Sequence, residues 1–284
     1  MKRTNLFAIL AISFSLSGMI TSCTNDTNVG TDASVSATAT DASQAATVSD
    51  AVIAEADQYI TTATFTTSGI AAVKASETSI AGPIITVSLK DSVSFPKTIT
   101  IDYGTTGITG KRGNVLKGKI MIVVSDKLWK VNSSKTITFL NFYLIDNKIT
   151  GSKVITYKGL IALNPVHNIV VKDTITRTDG TTVIWNSDRN RERTDNNGTV
   201  DPSDDKYSIT GSSNGVNAKG VAYTMVITAN DPLIIYNDYP HFVQGSVTLA
   251  TEKRTALIDY GDGTKDDKAT ITINGVTKDI TLKK

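Results

Sequence analysis

From about residue 83 onward the chain alternates with a period of two. Lys97-Thr98-Ile99-Thr100-Ile101-Asp102-Tyr103 and Lys135-Thr136-Ile137-Thr138-Phe139 place apolar and polar side chains in turn. Successive side chains on a strand point to opposite faces, so this pattern builds a half-buried sheet and not an amphipathic helix. Composition agrees. The 42 Thr, 30 Ile and 23 Val make up a third of the 284 residues, against 14 Leu and 4 Glu. β-branched residues lose rotamer freedom in helices and pack well on a pleated surface.

Strand segments fall at 84–89, 97–103, 117–124, 135–143, 148–158, 166–177, 181–189, 206–212, 218–229, 242–250, 253–260, 268–274 and 276–282. Turn chemistry separates many of them, with Asn274-Gly275 the strongest two-residue hairpin signal. No βαβ rhythm appears, so the expected fold is all-β: an antiparallel meander, either a sandwich or one long curved sheet. Two short words recur. Ile101-Asp102-Tyr103-Gly104 returns as 258–261, and Ile149-Thr150-Gly151-Ser152 returns as 209–212. Their offsets differ, which disfavours a regular solenoid or propeller.

The N-terminal region reads differently. Lys2 and Arg3 precede an apolar stretch from Leu6 to Leu16, then small residues before Cys23, the single cysteine. This is the layout of a secretory signal peptide over 1–22. Ile20-Thr21-Ser22-Cys23 resembles the lipobox of bacterial lipoproteins, and that resemblance implies cleavage before Cys23 and acylation of its thiol. Two or three acyl chains, at about 0.8 kcal/mol per buried CH₂, anchor a protein durably. Residues 23–50 are almost all Thr, Ser, Ala, Asp and Asn, which predicts a disordered tether of roughly 30 Å coil span. Apolar residues at helical spacing in 51–62 predict a short helix, with Ser49 as its N-cap. An all-β domain then completes 51–284.

Charge excludes some partners. The chain has 29 Lys+Arg and 27 Asp+Glu; without Lys2 and Arg3 the balance is 27 to 27. A nucleic-acid binder needs a basic surface, so no nucleic-acid partner is expected.

The chemical motifs are few. Gly211-Ser212-Ser213-Asn214-Gly215 matches a nucleophile elbow in letters, but a strand follows where the elbow needs a helix. A hydrolase using Ser213 with His241, or turn carboxylates, is the rival to a non-enzymatic module. Gly104–Lys111 has the wrong spacing for a phosphate loop, and no cofactor is expected. Asp259, Asp262, Asp266 and Asp267 offer clustered oxygens to calcium, as do Asp195, Asn197, Asp201, Asp204 and Asp205, though neither stretch has an EF-hand register. Trp185, Arg189, Arg191 and Arg193 share one strand face if the strand continues, and could take an acidic glycan by stacking and bidentate hydrogen bonds.

Residues 97–284 resemble a group of envelope lipoproteins of Bacteroidota to which no reaction is assigned. The resemblance lies in IDYG (101–104), GKIMIVV (118–124), TFLNFYLIDNKITGS (138–152), IWNSDRNRER (184–193), DDKYSITGSSNGVNAKG (204–220) and IDYGDGTKDD (258–267). It implies an outer-membrane lipid anchor, facing the periplasm or the exterior, with a glycan or another envelope protein as partner. Members often carry a cysteine just after DYGDGT; Lys265 stands there here, so a disulfide of relatives is absent.

Overall fold

The computed structural model describes residues 26–65, 73–74, 82–88, 94–110, 113–196, 198–199, 204–228 and 230–282. The signal peptide (1–22) and Cys23 lie outside them. The chain forms one helix, α1 (Asp26–Phe65), followed by strands. The first half comprises β1 (Val73–Lys74), β2 (Ile84–Ser88), β3 (Lys97–Asp102), β4 (Ile108–Thr109), β5 (Val115–Val124), β6 (Ser134–Leu144), β7 (Asn147–Ile161) and β8 (Asn164–Thr176). The second comprises β9 (Thr182–Asp195), β10 (Lys206–Val216), β11 (Ala222–Ile227), β12 (Leu233–Tyr236), β13 (Gln244–Thr251), β14 (Thr255–Asp262), β15 (Lys268–Ile273) and β16 (Val276–Thr281). All pair antiparallel in sequence order, except that β4 pairs only with β5, and β12 with β10 and β13. The expected meander is therefore present, as one long curved sheet. Asn274 and Gly275, both at positive φ, make the tight turn between β15 and β16.

The sheet curls around α1. The helix meets β2 and β3 near one end of the strand order, β8 and β9 in the middle, and β14 and β15 near the other end. Its side chains are gripped from every side. Thr38 accepts a hydrogen bond from Asn217 (2.8 Å), Asp41 pairs with Arg177 (2.6 Å), and Ser43 shares a hydrogen bond with Tyr260 (2.8 Å). Asp50 pairs with Arg189 (2.8 Å), Tyr103 donates to Glu55 (3.1 Å), and Asp57 pairs with Lys135. The helix thus runs from the end of the sheet holding the β8–β9 and β10–β11 turns to the end holding the β5–β6 and β7–β8 turns.

Two expectations need correction. The helix begins at Asp26, not at 51, and residues 33–50 are not a tether. Val35, Ala39, Ala42, Ala45, Ala46 and Val48 are buried in the core. Ser49 is not an N-cap; mid-helix, its hydroxyl accepts from Lys153 (2.7 Å). The physical reason is size. A helix enclosed on all sides by a sheet needs small side chains, and the sheet's own polar groups satisfy its Thr, Ser and Asp.

The repeated words are the same devices used twice. In both copies of IDYG the Ile and Tyr are buried, and the Asp accepts a hydrogen bond from the Gly N–H (2.9 Å at Gly104, 2.8 Å at Gly261). Both tyrosine hydroxyls then bond to α1. In both copies of ITGS the glycine has positive φ within a strand, and a Cβ would strike the adjoining strand's carbonyl oxygen, that of Lys172 or of Asp188.

Candidate functional site

The strand carrying the expected ligand face does continue, as β9, and Val183, Trp185, Arg189, Arg191 and Arg193 do share a face. That face, however, points inward. Trp185 is 2% exposed and Arg189 is held by Asp50. Arg191 is buried over the ring of Tyr207 (3.6 Å) and donates to Asn237 (2.5 Å). These three residues cannot present an open glycan platform. The outward face carries Asn186, Asp188 and Asn190, which form a polar ladder with Asn168 and Asn214. Only Arg193, at the end of the row, reaches a cavity.

That cavity, of about 150 Å³, opens where α1 ends. Asp57 and Ile60 of α1 form its floor, with Lys135 of β6, Tyr157 of β7, His167 of β8, Arg193 of β9, and Asp205 and Tyr207 beside the start of β10 around it. Trp129, in the β5–β6 loop, stands at the mouth and is 56% exposed. Its ring meets Tyr157 edge-on (5.4 Å), lies 6.2 Å from His167, and has the Arg193 guanidinium 5.9 Å from its centroid. Alternation along five neighbouring strands sends these side chains to one end of the lumen.

The charges at the cavity are set by burial and by each other. Burial pushes the Asp57 carboxyl up, but the Lys135 ammonium beside it, helped by Arg191 and His167, holds it below the usual carboxylate range. Burial pushes Asp205 up, against the Tyr207 hydroxyl that donates to it (2.7 Å) and the guanidinium of Arg193 (3.6 Å). Burial, reinforced by Lys135, lowers His167 to about 3, with Asp57 opposing. His167 is thus neutral at physiological pH. Counting Arg191 beneath Tyr207, three cations face two carboxylates.

The depressed His167 fixes a pH dependence. Between about pH 6.5 and 3 the unfolded chain binds a proton at this residue and the folded chain does not. The stability it contributes is complete above 6.5 and is lost as pH falls toward 3. The Cε1–H resonance of His167 is expected to hold its neutral shift down to pH 4, and His167→Gln to flatten the acid limb of a stability profile. A ring titrating near 6.5 would contradict the enclosed placement.

The other candidates fare differently. Asp259, Asp262 and Asp266 accept hydrogen bonds from Gly261 (2.8 Å), Thr264 (3.2 Å to N–H) and Lys268 (3.0 Å) in turns of their own backbone. With Asp267 they do not form a calcium site: among the described residues no three His, Cys, Asp or Glu are grouped to hold a metal ion. In the second loop Asn197 and Asp201 lie outside the described residues, Asp204 accepts from Thr199, and Asp205 belongs to the cavity. Ser213 sits within β10, paired with Ser187 and Met225, and not on a strand–helix turn. His241 lies beyond β12, whose Tyr236 pairs with Lys206 at the far end of β10, roughly 20 Å along the strand from Ser213. Lys265 pairs with Asp238 (2.7 Å), tying together two exposed loops.

Sequence reasoning missed Trp129, Lys135, Tyr157, His167 and Asp57. They come from five separate segments, and the one local signal was a tryptophan among turn residues (SDKLWKVNSS). Compared with protein-family models, curated proteins and solved structures, the chain has no match. The site itself therefore carries the functional reading.

Proposed function

We propose that this chain is an envelope protein, anchored through lipid on Cys23, whose folded body binds an acidic saccharide at the cavity where α1 ends. It performs no reaction there. The observation that carries the reading is an exposed Trp129 beside Arg193 at the mouth of a cavity with room for about one sugar ring. A tryptophan face stacks on the apolar side of a sugar, and a guanidinium forks a carboxylate. The Arg193–Asp205 contact, at 3.6 Å, is longer than a hydrogen bond, so a ligand carboxylate displaces it at little cost. The excess of one cation favours an anion. The leader, the lipobox-like 20–23 and the resemblance to envelope lipoproteins support the anchor.

A second reading has one observation in its favour. Asp57 and Asp205 line one cavity with their affinities for protons shifted in opposite directions, as in acid–base pairs. Against it, Lys135 holds Asp57, and Tyr207 holds Asp205.

Calorimetry of the full chain carrying Cys23→Ser, with methyl glucuronide as probe, tests the reading. Binding is expected, weakened at least tenfold in both Arg193→Ala and Trp129→Ala. Absence of binding overturns it, and release of nitrophenol from a nitrophenyl glycuronide, abolished by Asp205→Asn, moves the protein to the second reading. Mass spectrometry of the protein from envelopes is expected to find Cys23 at the N-terminus with diacylglycerol on sulfur.

A further inference from the structure

Beside the cavity lies a group of apolar side chains that the fold does not use. The β7–β8 hairpin ends in Leu160-Ile161-Ala162-Leu163, and its three large side chains are 58%, 60% and 85% exposed. Val131, 55% exposed, adjoins them from the β5–β6 loop: its Cγ2 is 3.7 Å from where a Cβ on Gly159 would stand, and Asn132 N–H donates to Tyr157 O (2.8 Å). The patch is continuous with the cavity. Trp129 belongs to both, and Pro165, which pairs with Leu160 across the hairpin, lines the cavity wall.

The turn is also unfavourable to these residues. Ala162 and Leu163 have φ of 48° and 76°. Such a two-residue turn is ordinarily made by Asn-Gly, because side chains crowd the backbone at positive φ. A leucine here adds strain and gives the core nothing. Its use lies outside the protein.

Resting on the reading of the cavity as an acidic-saccharide site, we infer that the ligand is an amphiphile. Its anionic sugar headgroup sits against Arg193, and its aliphatic chain crosses Trp129, Val131, Leu160, Ile161 and Leu163. Two observations select this occupant. The patch joins a cavity with a net excess of cations, and Lys127 and Lys158, both exposed, flank it. The patch also lies at the end of the sheet where α1 finishes, whereas Cys23 precedes the start of α1 by three residues (26 − 23). An anchor there sets the patch facing away from its own bilayer, toward a separate ligand.

The probes are methyl glucuronide and dodecyl glucuronide, the latter below its critical micelle concentration, titrated into the full chain with Cys23→Ser. Trp185 is buried, so a blue shift in emission reports Trp129. The dodecyl compound is expected to bind about a hundredfold more tightly, the contribution of three or four covered methylenes. The triple variant Leu160→Ser, Ile161→Ser, Leu163→Ser is expected to lose that advantage and keep its affinity for the methyl compound. Leu163→Gly, which suits the positive φ, keeps the fold and is expected to lose part of it. Equal affinity for the two probes overturns the inference and leaves the cavity reading standing; failure of both to bind overturns both. A triple variant that changes only the sedimentation coefficient assigns the patch to a second copy, and one that changes only binding to anionic vesicles assigns it to a bilayer. Either result overturns the amphiphile.

Discussion

Replacing Lys153 with alanine is expected to lower the unfolding free energy by about 3–5 kcal/mol, the usual cost of orphaning one member of a buried ion pair. Lys153 and Asp173 are fully enclosed, they pair with each other, and the Lys153 ammonium also donates to Ser49 on α1. Burial pushes the lysine down and the aspartate up, while each opposes that push on the other. Without the lysine, a carboxylate stands in the lumen with Trp185 as its cross-strand neighbour. That carboxyl will take up a proton on folding, its folded affinity now further above the unfolded value. The penalty is therefore smallest below the usual carboxylate range and grows as pH rises through the folded value, so the variant gains on the parent between pH 8 and 5. The double variant Lys153→Met, Asp173→Leu is expected to lose far less than the single one, because no charge is left unpaired. Urea melts at both pH values check this. A Lys153→Ala midpoint within experimental error of the parent would refute the enclosed pair.

Most of the sheet was legible because its signal is local. Alternation at 97–103 and 135–143 and the Asn-Gly turn at 274–275 need only neighbouring residues, and each appears in place. What failed was the choice of face. On β9 the rule that charges point outward put Arg189 and Arg191 in solvent. The lumen contains a helix bearing Asp50, and that partner is about 140 residues away in sequence. Asp50 lay at the edge of the region taken for a tether. The failure at 33–50 and the failure at β9 are thus one failure: each of two polar surfaces is satisfied only by the other. A usable signal was present. From Thr31 to Ser68 the chain has no Gly and no Pro, whereas disordered segments are enriched in both. The cavity was less legible still, since Asp57, His167 and Arg193 meet only once α1 lies inside the sheet.

That dependence leads to the second large effect. A peptide covering 26–65 is expected to give a coil spectrum in buffer, since Thr, Ser, Asp and Val are poor helix formers and nucleation is costly. The chain without those residues is expected to lose cooperative unfolding altogether, because Arg189, Lys153 and Arg177 lose their partners on α1 and Ile53, Ile60 and the small buried side chains leave an empty lumen. A subtler variant makes the same point with the helix intact. Ala42 is fully enclosed, and Ala42→Leu is expected to cost about 1–3 kcal/mol or more by overpacking, where an exposed alanine in an ordinary helix would tolerate the change. Because Asp57 and Ile60 form the cavity floor, displacing the helix also removes the binding site. Affinity for the glucuronide should then fall in step with the loss of helical signal as Ala42→Leu is titrated with urea. A peptide already helical alone, or a truncated chain that still melts cooperatively, would mean that the sheet does not need its core helix and that the close fit of small residues is incidental.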